Sequence, residues 1–150
     1  MAEVSLDVEA PIEAVWAVLA DGWSYAGWVV GASHIRDVDT GWPKPGTRIH
    51  HSVGPWPLVI QDTTEVVRCE PSRLLELDAR LWPAGAARIT LTLVARSESL
   101  TEVRMAEQVV RGPSAFLPKF AQDMLLIPRN KESLARLNAL AHGRTGTPFH

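Results

Sequence analysis

An alternation of apolar and polar residues is the feature that most restricts how this chain folds. It runs through three consecutive segments between residues 75 and 109. Successive side chains of a strand point to opposite faces, so each segment predicts a strand with one buried and one solvated face. The short turn clusters between them predict antiparallel pairing. The apolar positions are Leu75, Leu77, Ala79 and Leu81; Ala87, Ile89, Leu91 and Leu93; and Val103, Met105 and Val109.

Further strands and two short helices are predicted on the N-terminal side of these segments. Val4, Leu6 and Val8 alternate in the same way and predict a first strand. Clusters of turn residues divide residues 32–111 into six strands, which include the three segments above and bring the total to seven. Between the first two strands, helical apolar spacing follows Pro11, and a second short helix is predicted over residues 24–30.

An amphipathic stretch over residues 114–141 predicts a long helix at the C-terminal end. Phe116, Phe120 and Met124 are available to one side of it, together with apolar residues further along. Pro128 removes a backbone donor within the stretch, so we expect a kink near residues 124–128, with a complete break as the alternative. Residues 142–150 have no periodicity and are predicted to be a flexible tail, which leaves residues 1–141 as one domain.

Composition excludes several functional classes. The 150 residues include 17 acidic and 15 basic ones, and a net charge of −2 argues against a nucleic-acid partner. A single cysteine, Cys69, excludes an internal disulfide and a multi-cysteine zinc site. No phosphate loop or dinucleotide fingerprint occurs, so no cofactor is predicted. The acidic N-terminus is unlike a secretory signal and the apolar runs are too short to span a bilayer, so we expect a cytoplasmic protein without integral membrane association.

The predicted order of elements is similar to the helix-grip fold of the START-like, or SRPBCC, superfamily. That superfamily includes polyketide cyclase/dehydrase-like proteins and the major birch pollen allergen. Residues 10–16 (APIEAVW) resemble its opening helix. Residues 41–48 (GWPKPGTR) resemble the loop before one of its strands. Further motifs resemble residues 64–67, 70–74 and 129–137. The resemblance covers residues 4–141. It implies an α+β fold, with a seven-stranded curved antiparallel sheet wrapped around the long helix, rather than a particular reaction.

The resemblance also implies an apolar cavity between the sheet and the long helix, able to hold a small hydrophobic molecule such as a polyketide, lipid or aromatic metabolite. The alternative is that large side chains fill this space. Three tryptophans beside prolines in turns are candidates to close the mouth, or else pack in the ordinary way. The expected ligand-binding residues are Leu77, Ala79, Leu81, Ile89, Leu91, Val103, Met105, Phe116, Phe120, Met124, Trp42, Trp56 and Trp82.

Glu107 is the sharpest candidate for chemistry. It shares its strand face with Val103, Met105 and Val109, so alternation points its carboxylate into the apolar interior. Loss of hydration there would raise the pKa, and a protonated acid could donate to a ligand carbonyl. The alternatives are that a bulge turns it outward, or that it pairs with an arginine at the cavity mouth.

His51 is the second catalytic candidate. It shares a strand face with Ile49 and Val53, whereas His50 points to the other side. An inward imidazole could exchange protons or hydrogen-bond a ligand oxygen, and the alternative is a structural or exposed histidine. Adjacent strand residues point apart, so the two histidines are a poor metal pair and no metal is predicted.

Three functions follow from these features. The first is binding or carriage of a small hydrophobic ligand by a monomer or homodimer. The second is a polyketide cyclase- or dehydratase-like enzyme in which Glu107 and His51 act as acid and base. The third is a protein-interaction module, co-chaperone- or antitoxin-like, which an exposed apolar patch over a filled interior would favour.

Overall fold

The structure is a computed structural model that describes residues 2–29, 32–53, 60–81, 85–112 and 116–145. Within these ranges lie seven strands and three α-helices, and a turn of 3₁₀ helix over Gly22–Ser24 precedes the second helix. The elements are β1 (Ala2–Val8), α1 (Ile12–Leu19), α2 (Tyr25–Trp28), β2 (Ala32–Val38), β3 (Arg48–Val53), β4 (Ile60–Glu70), β5 (Leu74–Leu81), β6 (Gly85–Ser97), β7 (Leu100–Arg111) and α3 (Lys119–Thr145).

All seven strands belong to one curved antiparallel sheet in the order β1-β7-β6-β5-β4-β3-β2. Consecutive strands from β2 to β7 are neighbours, as their short connections dictate. The segment that contains α1 and α2 carries the chain from one edge of the sheet, β1, to the other, β2. The α+β fold with two short helices between the first and second strands is therefore confirmed.

The register of the sheet places the alternating apolar residues on one face. Val66 lies opposite Leu77, Leu77 opposite Ile89, and Ile89 opposite Glu107, in one row across four strands. The first three of these side chains are buried. Burial of each large apolar side chain contributes about 1.5–3 kcal/mol, so this face forms the core.

The long helix differs from the prediction at both ends. It begins at Lys119 rather than at residue 114, because Pro118 precedes it and accepts the first backbone N–H groups through its carbonyl oxygen. It continues to Thr145, four residues beyond Ala141, so the helix end predicted at Ala141 is wrong. Backbone hydrogen bonds carry a helix past its last packed residue, and an apolar pattern does not register this.

The helix is continuous through Pro128, so the alternative of a complete break is wrong. The proline removes one backbone N–H from the helix, and the turns on either side remain helical. No helix in the described ranges is long and apolar enough to cross a membrane.

Only the C-terminal part of α3 is packed tightly. Its fully buried residues lie on one stripe at helical spacing: Asn130, Ser133, Leu134, Leu137 and Ala141. From residue 119 to residue 129, all of which are described, no residue is fully buried. Residues 119–129 of α3 are therefore packed less tightly than residues 130–141.

The inward orientation predicted for three helix-end residues is wrong. Phe116, Phe120 and Met124 are 90%, 69% and 72% exposed. The stripe that begins at Asn130 continues backwards through Ile127, which packs partly against the core, and not through Phe120 and Met124. The segment is apolar on more than one side, so periodicity alone selects the wrong face.

Candidate functional site

A small polar cluster interrupts the apolar face of the sheet. The Nε2 atom of His51 lies 2.8 Å from Oγ1 of Thr64, and the Tyr25 hydroxyl lies 3.1 Å from the same oxygen. The rings of Tyr25 and His51 stack with their centroids 5.7 Å apart and their planes 22° apart. All three residues are at most 3% exposed. We call Tyr25, His51 and Thr64 the polar triad.

The fold brings the polar triad together from three elements. His51 lies on β3 opposite Asp62, and Thr64 lies two residues further along β4, so the two side chains are diagonal neighbours on one face. Tyr25 begins α2, and its ring reaches both of them. The inward position of His51 follows from alternation, whereas the contact with Tyr25 depends on how α2 packs over the sheet.

Burial keeps the polar triad uncharged. Desolvation lowers the pKa of His51 to about 4, against a smaller opposing effect from Asp62. Desolvation also raises the pKa of Tyr25 to about 12, against a smaller lowering by its hydrogen bond with Thr64. Near neutral pH the imidazole is therefore neutral and the phenol is protonated. The Nδ1 atom of His51 is buried and has no hydrogen-bond partner among the described residues.

Glu107 is buried on the face that alternation predicts, and it is paired with a cation. Nη2 of Arg129, on α3, lies 2.6 Å from each of its two carboxylate oxygens. Glu107 is 1% exposed. A guanidinium is always cationic, and such charge-assisted bonds stabilise a carboxylate. Both carboxylate oxygens of Glu107 are therefore engaged by Arg129, which matches the alternative of an arginine pair rather than a carboxyl group that faces only apolar side chains.

The ion pair and the polar triad share one electrostatic environment. The charges of Glu107 and Arg129 both act on the pKa of Tyr25, in opposite directions. In the described part of the chain, no hydrogen bond joins His51 to Glu107. The two predicted catalytic residues are thus both buried on the sheet, but they do not form a contiguous acid–base pair.

One further polar residue lies at the point where tight packing of α3 begins. Asn130 is fully buried, and neither its Oδ1 nor its Nδ2 has a hydrogen-bond partner among the described residues. The adjacent Arg129 also has a buried Nε without a partner in the same ranges. Such orphaned buried groups are uncommon and require an explanation.

Sequence reasoning did not propose Tyr25, Thr64, Arg129 or Asn130 as functional residues, although the last three lie in the motif segments 64–67 and 129–137. Thr64 carries a usable signal, because it has the same strand parity as the buried Val66. The positions of the other three depend on how helices dock against the sheet, and a single sequence does not encode that docking in any local pattern.

Six of the predicted ligand-binding residues are buried on the inner face of the sheet: Leu77, Ala79, Ile89, Leu91, Val103 and Met105. Leu81 belongs to β5, but its side chain lies outside the described part of the structure. Trp56 and Trp82 also lie outside the described residues. The indole N–H of Trp42 donates to the carbonyl of Leu19 at 3.2 Å, and its ring packs partly against the core, which is ordinary packing.

The described residues contain no group of three or more histidine, cysteine or acidic side chains that could hold a metal ion. The thiol of Cys69 is half-buried, and burial, with a smaller effect from Glu70, raises its pKa. A thiol with a raised pKa carries less of the reactive thiolate, so Cys69 is not activated as a nucleophile.

Comparison with solved structures finds the same fold in other proteins. The di-domain ARO/CYC BexL from the BE-7585A biosynthetic pathway superposes with a TM-score of 0.74 at 15% identity; the match covers 97% of this chain and 47% of that one. Ara h 8.0201 gives 0.71 at 12% identity, with 97% of each chain covered. Zhui aromatase/cyclase from Streptomyces sp. R1128 gives 0.64 at 20% identity, with 96% and 92% covered.

No protein-family model and no curated protein matches this sequence. At identities this low, the structural likeness establishes the fold and leaves the function to be argued from the site. The helix-grip fold implied by the sequence resemblance is confirmed.

Proposed function

We propose that this protein binds a small, mostly apolar molecule between its sheet and residues 119–129 of α3, and that the polar triad hydrogen-bonds one polar atom of that molecule. The observation that carries the proposal is the unpartnered Nδ1 of His51, buried on a mostly apolar face. An unsatisfied buried polar atom costs about 1–3 kcal/mol, and a ligand atom in hydrogen-bonding contact removes that cost.

The surrounding packing supports the same proposal. Small-molecule sites are mostly apolar and contain a few polar groups that set orientation. Here the apolar wall consists of residues such as Leu77, Ile89 and Met105, and the polar groups are those of the triad. Because residues 119–129 are not fully buried, we place the ligand beneath that part of the helix. Two structures with the same fold are named as aromatase/cyclases, which is compatible with a ring-containing ligand.

Binding is better supported than acid–base catalysis. The carboxylate of Glu107 is engaged on both oxygens by Arg129. A histidine with a pKa of about 4 is a weak base near neutral pH. A cyclase-like reaction would therefore depend on folding the ligand into a reactive shape rather than on these two groups as proton carriers.

Native mass spectrometry of protein purified from its expression host tests the proposal. The expected result is a retained small molecule, released on unfolding, in the wild type and in His50→Phe. His50 neighbours His51 but hydrogen-bonds Asp39, so it is a matched control. In His51→Phe the retained fraction should fall. A wild type that retains nothing, and whose tryptophan fluorescence does not respond to any apolar probe, contradicts the proposal.

A protein-interaction role is the second candidate, and one observation favours it. Five large apolar residues are exposed around the start of α3: Phe116, Leu117, Phe120, Met124 and Leu125. Clustered exposure of this kind is typical of interaction surfaces. The paired variant Phe120→Ser/Met124→Ser tests it: a change in oligomeric state by light scattering supports the role, and an unchanged monomer in both proteins argues against self-association.

A further inference from the structure

We infer that Asn130 is a second ligand-binding residue, and that the bound molecule is uncharged and offers both a hydrogen-bond donor and an acceptor to the Asn130 amide. The inference rests on the proposed function and narrows its ligand class. It starts from the two amide atoms that are buried without partners among the described residues.

The amide of asparagine has one acceptor oxygen and two donor hydrogens. At 0% exposure it cannot reach bulk water, so both functions must be met from within the interior. Either ordered water or a ligand group that can both donate and accept satisfies the two atoms together. A primary amide, an enol or a hydroxyl next to a carbonyl has this property.

The position of Asn130 favours a ligand. It is the first fully buried residue of the α3 stripe, immediately after the stretch of helix that is not tightly packed. Its neighbour Arg129 extends to Glu107 on the inner face of β7. The orphaned amide therefore lies at the end of the space in which we place the ligand, on the helix side, while the polar triad lies on the sheet side.

The balance of charge argues for an uncharged molecule. The positive charge of Arg129 is committed to Glu107 through both carboxylate oxygens. Around His51, the charge of Asp62 raises the pKa of the imidazole and the charge of Arg36 lowers it, so the two effects oppose each other. An anionic ligand would meet the Glu107 carboxylate without a spare cation to offset it, and desolvating that charge would be costly.

Three probes of nearly equal shape test the inference: naphthalene-2-carboxamide, 2-naphthoate and 2-methylnaphthalene. Calorimetry or tryptophan fluorescence should show that the wild type binds the carboxamide about tenfold more tightly than either of the others, because only the carboxamide can both donate to and accept from the Asn130 amide. In Asn130→Leu, the affinity for the carboxamide should fall towards that for 2-methylnaphthalene, because only the contact with the polar triad remains, and the affinity for 2-methylnaphthalene itself should not fall.

Asn138→Leu is the matched control. Asn138 lies two turns further along α3 beside a surface pocket lined by Glu9 and His142, and its Oδ1 is also without a partner in the described ranges. This variant should keep the wild-type order of affinities.

Two results overturn the assignment. One is an Asn130→Leu protein that keeps the preference for the carboxamide. If that variant also has a higher melting temperature, only water hydrogen-bonded the Asn130 amide in the wild type. The other is a wild type that binds 2-naphthoate as tightly as the carboxamide, and this comparison stands even if the variant does not fold. If the wild type binds none of the three probes, the proposed function itself fails, which is a distinct outcome.

Discussion

Arg129 on α3 holds both carboxylate oxygens of Glu107 on β7 through a single nitrogen, Nη2, at 2.6 Å from each. The bond ties the helix to the sheet next to the residue where tight packing of the helix begins. Glu107 is 1% exposed, whereas the Arg129 side chain is 27% exposed. The two partners therefore differ in how well each can return to water when the other is removed.

This difference in exposure predicts that removing Arg129 lowers the free energy of unfolding more than removing the charge of Glu107 does. Arg129→Met leaves a buried carboxylate without a cation and should lower the free energy of unfolding by about 3 kcal/mol. Glu107→Gln leaves a guanidinium that can reach solvent, and should cost about 1 kcal/mol. Urea unfolding measures both. The double variant should lose less free energy of unfolding than the two single variants lose together. If the losses are additive, the bond between Arg129 and Glu107 contributes little to stability.

His51 predicts a specific dependence of stability on pH. Its pKa is lowered from 6.5 to about 4 in the folded protein, so between these values the unfolded chain binds a proton that the folded chain does not. Stability should therefore fall by about 3 kcal/mol as the pH falls from 6.5 towards 4.

The comparison of two variants isolates this effect from other titrating groups. His51→Phe should remove most of the fall, and His50→Phe should retain it. If the free energy of unfolding falls equally steeply with pH in the wild type and in His51→Phe, the His51 imidazole is not desolvated in the way that the structure shows.

Tyr25 is the only tyrosine in the chain, which makes its ionisation directly observable. Burial raises its pKa from 10.0 to about 12. Tyrosinate absorbance should appear near pH 12 in the folded protein and near pH 10 in urea. Because the unfolded state ionises first, the contribution of Tyr25 to stability is present below pH 10 and is lost as the pH rises from 10 to 12. A folded-state midpoint near 10 would contradict the burial.

Packing along α3 predicts a sharp contrast between two of its residues. Leu137 is fully buried, and Leu137→Ala should cost about 2–5 kcal/mol. Met124 is 72% exposed, and Met124→Ala should change stability by less than about 0.5 kcal/mol. Thermal unfolding of both variants checks the difference. A large loss from Met124→Ala would place that side chain inside, as the sequence suggested.

Sequence patterns predicted the sheet well, because alternation reports directly which face of a strand is buried. Glu107 and His51 lie on the predicted face for this reason. The buried face of α3 was harder to predict, because Phe120 and Met124 are apolar residues on an exposed side and Asn130 is a polar residue on the buried stripe. The contact between Arg129 and Glu107 spans 22 positions and depends on docking, which no local pattern records.

The most direct test of ligand binding beside the polar triad is a nitrogen NMR spectrum of the histidine side chains during titration with naphthalene-2-carboxamide. The imidazole resonances of His51 should shift and saturate with the same dissociation constant as calorimetry gives, while those of His50 stay in place. Saturable binding that leaves the His51 resonances unmoved would contradict the account.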